Sequence, residues 1–365
     1  NYDVDGIIFD DYFYPNGIPS NKNAGDYNLW KNSGSSLSIG DWRRANVNQM
    51  VADVYNMIQY VKPWAKFGIS PAGVACTDSN VAAGHGVTPC PAPAGDWQYN
   101  GIFSDPVAWL KAGTIDYISP QLYWTTYHST APFGPLTKWW SEVANQFGRH
   151  HYASHSISFL AENNTETNWK EVAKQVQLSR DYTKNAAPGC VFYSQKYISG
   201  RSVKGLGEYL LANKFQTKCL TPAIDWKPAA EHGKIQNYAK SGTKMTWDAI
   251  NNVRYSVYAI PTSVSKANAQ SNSSSGIKSD YLLGVTYTNS YTLPSNKATG
   301  YYYAICVLDR YGNEYAPRYS DENSKPSEKV SLISPVGGSV VKSPATFKWS
   351  SASGATYTLQ ISKRS

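Results

Sequence analysis

Over roughly the first 217 residues, short apolar runs alternate with longer amphipathic stretches. That alternation predicts strands and helices in turn, and hence an α/β fold with a parallel sheet. Ile7-Ile8-Phe9 leads into the Asp10-Asp11 pair, the way a buried parallel strand delivers acids to the rim of a sheet. From about Trp42 to Val61, apolar residues at Val47, Met50, Val51, Val54, Met57 and Ile58 follow a helical period. Phe67 to Ser70 reads as the next strand, and Ser104-Asp105-Pro106 as the cap and first turn of a helix that ends near Gly113. Strand Tyr117 to Tyr123, helix Leu136 to Phe147, strand Tyr152 to Phe159 and helix Asn168 to Thr183 follow. Strand Cys190 to Tyr193 and helix Val203 to Ala212 complete five βα units. An open doubly wound sheet is the competing topology, but no glycine-rich phosphate loop follows any of the strands.

Beyond Pro222 the period changes to that of strands alone. Lys244 to Ile260, Val285 to Leu293 and Tyr301 to Val307 are rich in Tyr, Val and Thr and are separated by polar turns. This pattern resembles a fibronectin type III sandwich. Ser263 to Ser279 is a low-complexity loop. Trp247 precedes Tyr255 by the same offset as Trp349 precedes Tyr357, so the end of the chain reads as the start of a second sandwich. The expected domains are residues 1–225, 226–325 and 326–365.

The segment from Asp5 to Pro15 (Asp-Gly-Ile-Ile-Phe-Asp-Asp-Tyr-Phe-Tyr-Pro) is similar to the signature of the glycosyl hydrolase-like 10 family. The similarity continues through Asp41-Trp42-Arg43-Arg44-Ala45-Asn46-Val47-Asn48, Lys66-Phe67-Gly68-Ile69-Ser70-Pro71 and Asp116 to Trp124. Four motifs in order over about 225 residues make a specific resemblance. It implies a (β/α)8 TIM-type barrel in which the first strand here is about the fourth. The chain is therefore expected to carry about the last five βα units of a barrel truncated at its amino end. One departure is Ile8, where the family often carries His.

Composition narrows the function classes. Tyr and Trp are abundant, 28 and 12 of 365 residues, which suits stacking on sugar rings as well as all-β packing. A net charge of +8 favours an anionic partner such as an acidic envelope glycan. The Lys and Arg residues are scattered rather than clustered, which argues against nucleic acid. No apolar run approaches a membrane span. Of the five cysteines, Cys76 and Cys90 flank a Gly/Pro-rich loop, where a disulfide would suit an exported protein. No CxxC pair suggests a structural zinc, no cofactor is expected, and the oligomeric state is open.

Glycoside hydrolysis needs a proton donor for the leaving oxygen and a carboxylate at the oxocarbenium-like centre. Asp10 is the first choice for a catalytic carboxylate, since strand alternation puts Ile8, Asp10 and Tyr12 on one face. Asp11 is the second, as a rim acid; Glu162 is either a partner acid or a surface group. Tyr12, Tyr14, Arg43, Gln121, Tyr123, Trp124, His155 and Gln195 are the expected substrate-binding residues. For Gln121, Tyr123 and Trp124 the alternative is core packing, and for His155 a satisfied core histidine. Asp116, at the start of its strand, reads as structural. The expectation is a glycoside hydrolase acting on a bacterial envelope polysaccharide, with peptidoglycan glycan strands as substrate and a periplasmic, outer-membrane-associated or extracellular location. The alternative is a non-catalytic carbohydrate-binding protein on a degenerate barrel.

Overall fold

The computed structural model of the chain describes residues 2–10, 13–183, 189–227, 232–271, 276–322, 332–335 and 345–350. It divides into two compact units, residues 1–231 with 308–313 and residues 232–307 with 314–365.

The first unit is built on strands β1 (Gly6–Asp10), β2 (Lys66–Ser70), β3 (Tyr117–Ile118), β4 (His150–Ser156) and β5 (Gly189–Tyr193). They form one sheet in sequential order, and every neighbouring pair is parallel. Between them run helices α1 (Tyr27–Asn32), α2 (Ile39–Val61), α3 (Ser79–His85), α4 (Trp97–Gly101), α5 (Pro106–Ala112), α6 (Phe133–Gln146) and α7 (Glu166–Thr183). Helices α8 (Gln195–Ile198) and α9 (Leu206–Asn213) follow β5. Sequential parallel order with right-handed crossovers puts the covering helices on one face. A doubly wound sheet would instead reverse its strand order at a switch point. The unit is α/β and barrel-like.

Strand alternation sorts the residues into two layers. Phe67, Ile69, Ile118 and Ala153 are fully buried in one core with Val47 and Val51 of α2, Trp109 and Leu110 of α5, and Trp140 of α6. The opposite face of the sheet is lined with rings set over glycines. A Cβ on Gly68 would sit 2.3 Å from the Tyr117 ring, and one on Gly189 would sit 2.1 Å from the Tyr152 ring. The two tyrosines meet edge to face at 5.4 Å.

Helix boundaries follow local chemistry. Ser38 caps α2 by accepting from Asp41 N, and Asp105 caps α5, which ends at Gly113 in the left-handed conformation. In α2 the expected apolar stripe holds at Val47, Val51 and Ile58, whereas Met50 and Met57 are exposed. Strand β3 is shorter than the pattern predicts, because Pro120 interrupts it and only the bridges at Gln121 continue the pairing.

The opposite end of the strands is closed by a buried network. Asp116 accepts from Phe67 N at 2.8 Å, Trp226 Nε1 at 2.9 Å and Lys227 Nζ at 3.0 Å. This carboxylate is structural.

The second unit carries two antiparallel sheets. One orders β10 (Ser290–Thr292), β7 (Lys244–Thr246) and β6 (Ala239–Ser241); the other orders β12 (Arg318–Tyr319), β11 (Tyr301–Leu308), β8 (Arg254–Pro261) and β9 (Leu282–Thr286). Met245 from the first sheet, and Tyr255, Val257, Tyr303 and Ile305 from the second, share one core with Trp247. A two-stranded pairing of β13 (Leu332–Ser334) with β14 (Lys348–Trp349) follows, and Tyr357 lies outside the described residues.

Candidate active site

Asp10 is the last residue of β1 and shares the helix-free face with Ile8, while Phe9 packs edge to face on Phe67 at 5.1 Å in the opposite layer. The carboxylate is held by an amide: Gln121 Nε2 donates to Asp10 Oδ1 at 2.8 Å and to the Ser70 carbonyl at 3.0 Å. Gln121 is itself fixed by backbone bridges to Ala72 and Ser154, so sheet pairing sets the amide and the amide sets the acid.

These groups line a cavity of about 410 Å³, together with Ser154 of β4 and Val191 of β5. Tyr123 and Tyr193 complete one wall, stacked with ring centroids 6.0 Å apart and planes 29° from parallel. The peptide bond after Tyr193 is cis. Both edge strands reach this one cavity. In a flat sheet, strands one and five would stand about 19 Å apart, wider than a compact space of that volume, so the sheet curves around it. The strand ends that carry acids in α/β barrels are the ends that open here. Asp10 is the charged side chain among the described lining residues; Ser70, Ser154 and Gln121 add neutral hydrogen-bonding groups. Among the described residues, no group of three His, Cys, Asp or Glu side chains is placed to hold a metal ion.

The structure brings together Asp10, Gln121 and Tyr123 from the residues expected in the site. Asp11 and Tyr12 lie outside the described residues. The other expected binding residues are elsewhere. Arg43 is fully buried; its guanidinium pairs with both Asp26 oxygens at 2.6 and 2.8 Å and lies over the Phe103 ring. The carboxylate partner of Arg43, the fifth residue of α2, is therefore Asp26, which this pairing holds below the usual carboxylate range. Tyr14 belongs to the same cluster, 5.7 Å from Phe103. Trp124 packs over Gly73 and beside His128.

His155 points into the helical layer, fully buried between Phe133 and Phe192 with Nδ1 3.0 Å from Gln175 Oε1. Burial pushes its imidazole down to about 4, so it is a neutral core histidine. Gln195 is an exposed residue at the start of α8, outside the cavity. Glu162 is exposed on the loop before α7 and also stands outside the cavity. Cys76 and Cys90 are buried free thiols, which corrects the expected disulfide. Burial raises them to about 12 and 11.

Sequence reasoning missed Ser70, Ser154, Val191 and Tyr193. The available signal was parity, since Val191 and Tyr193 alternate with Cys190 and Phe192, and Tyr193 is a large aromatic ending a strand.

Comparison with known proteins gives the site a context. Residues 1–171 match the family described as Glycosyl hydrolase-like 10. The chain is 30% identical to glycosyl hydrolase YngK of Bacillus subtilis (strain 168) over 231 residues, covering 62% of this chain and 43% of that protein. It is 31% identical to glycosyl hydrolase DigH of Escherichia coli (strain K12) over 219 residues, covering 57% and 47%. The chain thus spans less than half the length of these curated relatives. A solved structure, the Cellulomonas fimi endo-beta-1,4-mannanase double mutant, aligns over 70% of this chain and 55% of its own, with 10% identity. Its TM-score of 0.25 is too low to bear on the fold.

Proposed function

We propose that this chain, whose residues 1–171 match the glycosyl hydrolase-like 10 family, hydrolyses glycosidic bonds of a bacterial envelope polysaccharide, with peptidoglycan glycan strands as the substrate. The observation that carries the reading is Asp10, a carboxylate at a strand end, oriented by Gln121 in a curved-sheet cavity lined with hydroxyls and tyrosines. The chemistry is acid/base catalysis by carboxylates, which requires a second acid or a substrate group in its place. Asp10 is the first carboxylate and Asp11, the next residue in the sequence, the second. An exported location, periplasmic, outer-membrane-associated or extracellular, goes with such a substrate. We read the barrel as the (β/α)8 type and the second unit as a fibronectin type III-like sandwich, on the support of its paired antiparallel sheets and shared core.

The alternative is a glycan-binding barrel without turnover. What favours it is that Asp10 is the one carboxylate lining the cavity among the described residues. The test is mass spectrometry of peptide-free peptidoglycan strands incubated with the chain or with Asp10→Asn. New reducing-end fragments from the wild type alone are expected. Strands that stay intact yet retain the protein would replace hydrolysis with binding.

A further inference from the structure

We propose that the groove between α7 and α9, in the helical layer and apart from the glycan cavity, binds a phosphate ester. The two spaces share no lining residue, and the proposal stands without the glycan reading.

The groove has a volume of about 380 Å³. Lys170, Lys174 and Gln177 line it from α7, and Tyr209, Asn213 and Lys214 from α9 and the residue that follows it. The spacing of 170, 174 and 177 puts them on one face of α7, so both lysines turn the same way. Like charges one turn apart repel and weaken a helix. Among the described lining residues there are three ammonium groups and no carboxylate.

The nearby acids are engaged elsewhere. Glu166 meets Lys170 at 2.9 Å, but both side chains are 63% exposed, and such a surface pair contributes little. Glu171 accepts from the Thr126 amide and hydroxyl and from Gln175. Asp181 accepts from Gln177 Nε2 at 2.8 Å, which leaves the Gln177 oxygen to accept from Lys214 Nζ, also at 2.8 Å. Lys174 Nζ donates to Thr126 Oγ1 at 3.0 Å. Neutral oxygens therefore hold Lys174 and Lys214 in place without cancelling their charge. An ammonium carries three donors, so these bonds leave donors for a ligand. The carbonyl end of α9 would repel an anion, and there Arg180 donates to the Lys214 carbonyl at 2.6 Å.

The donor set selects the ligand. Lysines act as point charges and suit phosphate, whereas a carboxylate is met best by the planar fork of arginine. No arginine is among the described lining residues. Tyr209, whose ring packs on Trp169 at 5.9 Å, and Asn213 add a hydroxyl and an amide. The space exceeds a bare phosphate ion, so a phosphorylated sugar or polyol fits it, with the phosphate on the lysines and its hydroxyls on the neutral groups.

The experiment is calorimetric titration of the 365-residue chain at low salt with glucose 6-phosphate and with glucarate, a dicarboxylate of similar charge. The variants are Lys170→Gln combined with Lys174→Gln, and Lys214→Gln alone. Wild type should bind glucose 6-phosphate about tenfold more tightly than glucarate, and each variant about tenfold more weakly than wild type, the scale of a charge-assisted hydrogen bond. Without ligand, the double variant should melt at or above the wild-type temperature, because a like-charge pair has gone. Equal affinity for the two ligands, or unchanged affinity in both variants, would overturn the site. A lower melting temperature in the double variant with its affinity kept would make the lysines structural and overturn it too. Phosphatidylglycerol vesicles locate the ester. Lysine-dependent sedimentation with them would put it on a lipid headgroup; glucose 6-phosphate binding without sedimentation would put it on a sugar or polyol outside the membrane.

Discussion

Asp10 and Arg43 show what one residue's environment decides. Both are charged, both stand near an element end, and both were expected in the site. Asp10 faces a cavity and meets an amide, whereas Arg43 is buried in a bidentate pair with Asp26. Removing one partner of a buried ion pair strands the other, a loss of about 3–5 kcal/mol. Arg43→Ala should therefore lower the melting temperature clearly while the folded fraction keeps its affinity for peptide-free peptidoglycan strands. A normal melting temperature with lost binding would return Arg43 to the site. The acid was legible because strand parity needs only neighbouring residues. The destination of Arg43 was not, because Asp26 sits 17 positions earlier in a polar loop without a period.

At the scale of elements, alternation carries most of the information, and close approaches carry the rest. In β4, Ser154 faces the cavity, so His155 must face the helices, where burial holds it near 4 and holds His151 near 3. An unfolded chain protonates such histidines near 6.5. Stability present above that pH is therefore lost as pH falls from about 6.5 toward 4. At pH 5 the loss is roughly 2 kcal/mol per histidine. Asp96, which burial raises to about 6, works in the opposite sense. Its contribution is present at low pH and fades as pH rises toward 6, so it offsets part of the loss. Melting of the chain followed by circular dichroism should drop several degrees between pH 7.5 and pH 5, and an unchanged or higher value at pH 5 would contradict neutral burial. The glycines give a steric test. Gly189→Ala puts a methyl into the Tyr152 ring and should cost about 1–3 kcal/mol by overpacking. A denaturant midpoint equal to wild type would show that the ring can move aside. Sequence could mark Gly68 and Gly189 as strand glycines, but not name the rings that cover them.

For the molecule as a whole, five strand-helix alternations were legible, and the five-stranded parallel sheet in sequential order reports the same alternation in space. The change to strands only after Pro222 was also legible, and two antiparallel sheets follow it. What the pattern could not supply was curvature. That emerges only when both edge strands are seen to line one cavity, and with it comes the meeting of Asp10 on β1 with Tyr193 on β5. The most direct test of a glycan site between them is a crystal structure of Asp10→Asn with a peptide-free glycan-strand oligosaccharide. The account predicts a sugar ring in this cavity and a glycosidic oxygen within hydrogen-bonding distance of residue 10. An oligosaccharide bound at any other surface, with this cavity empty, would contradict it.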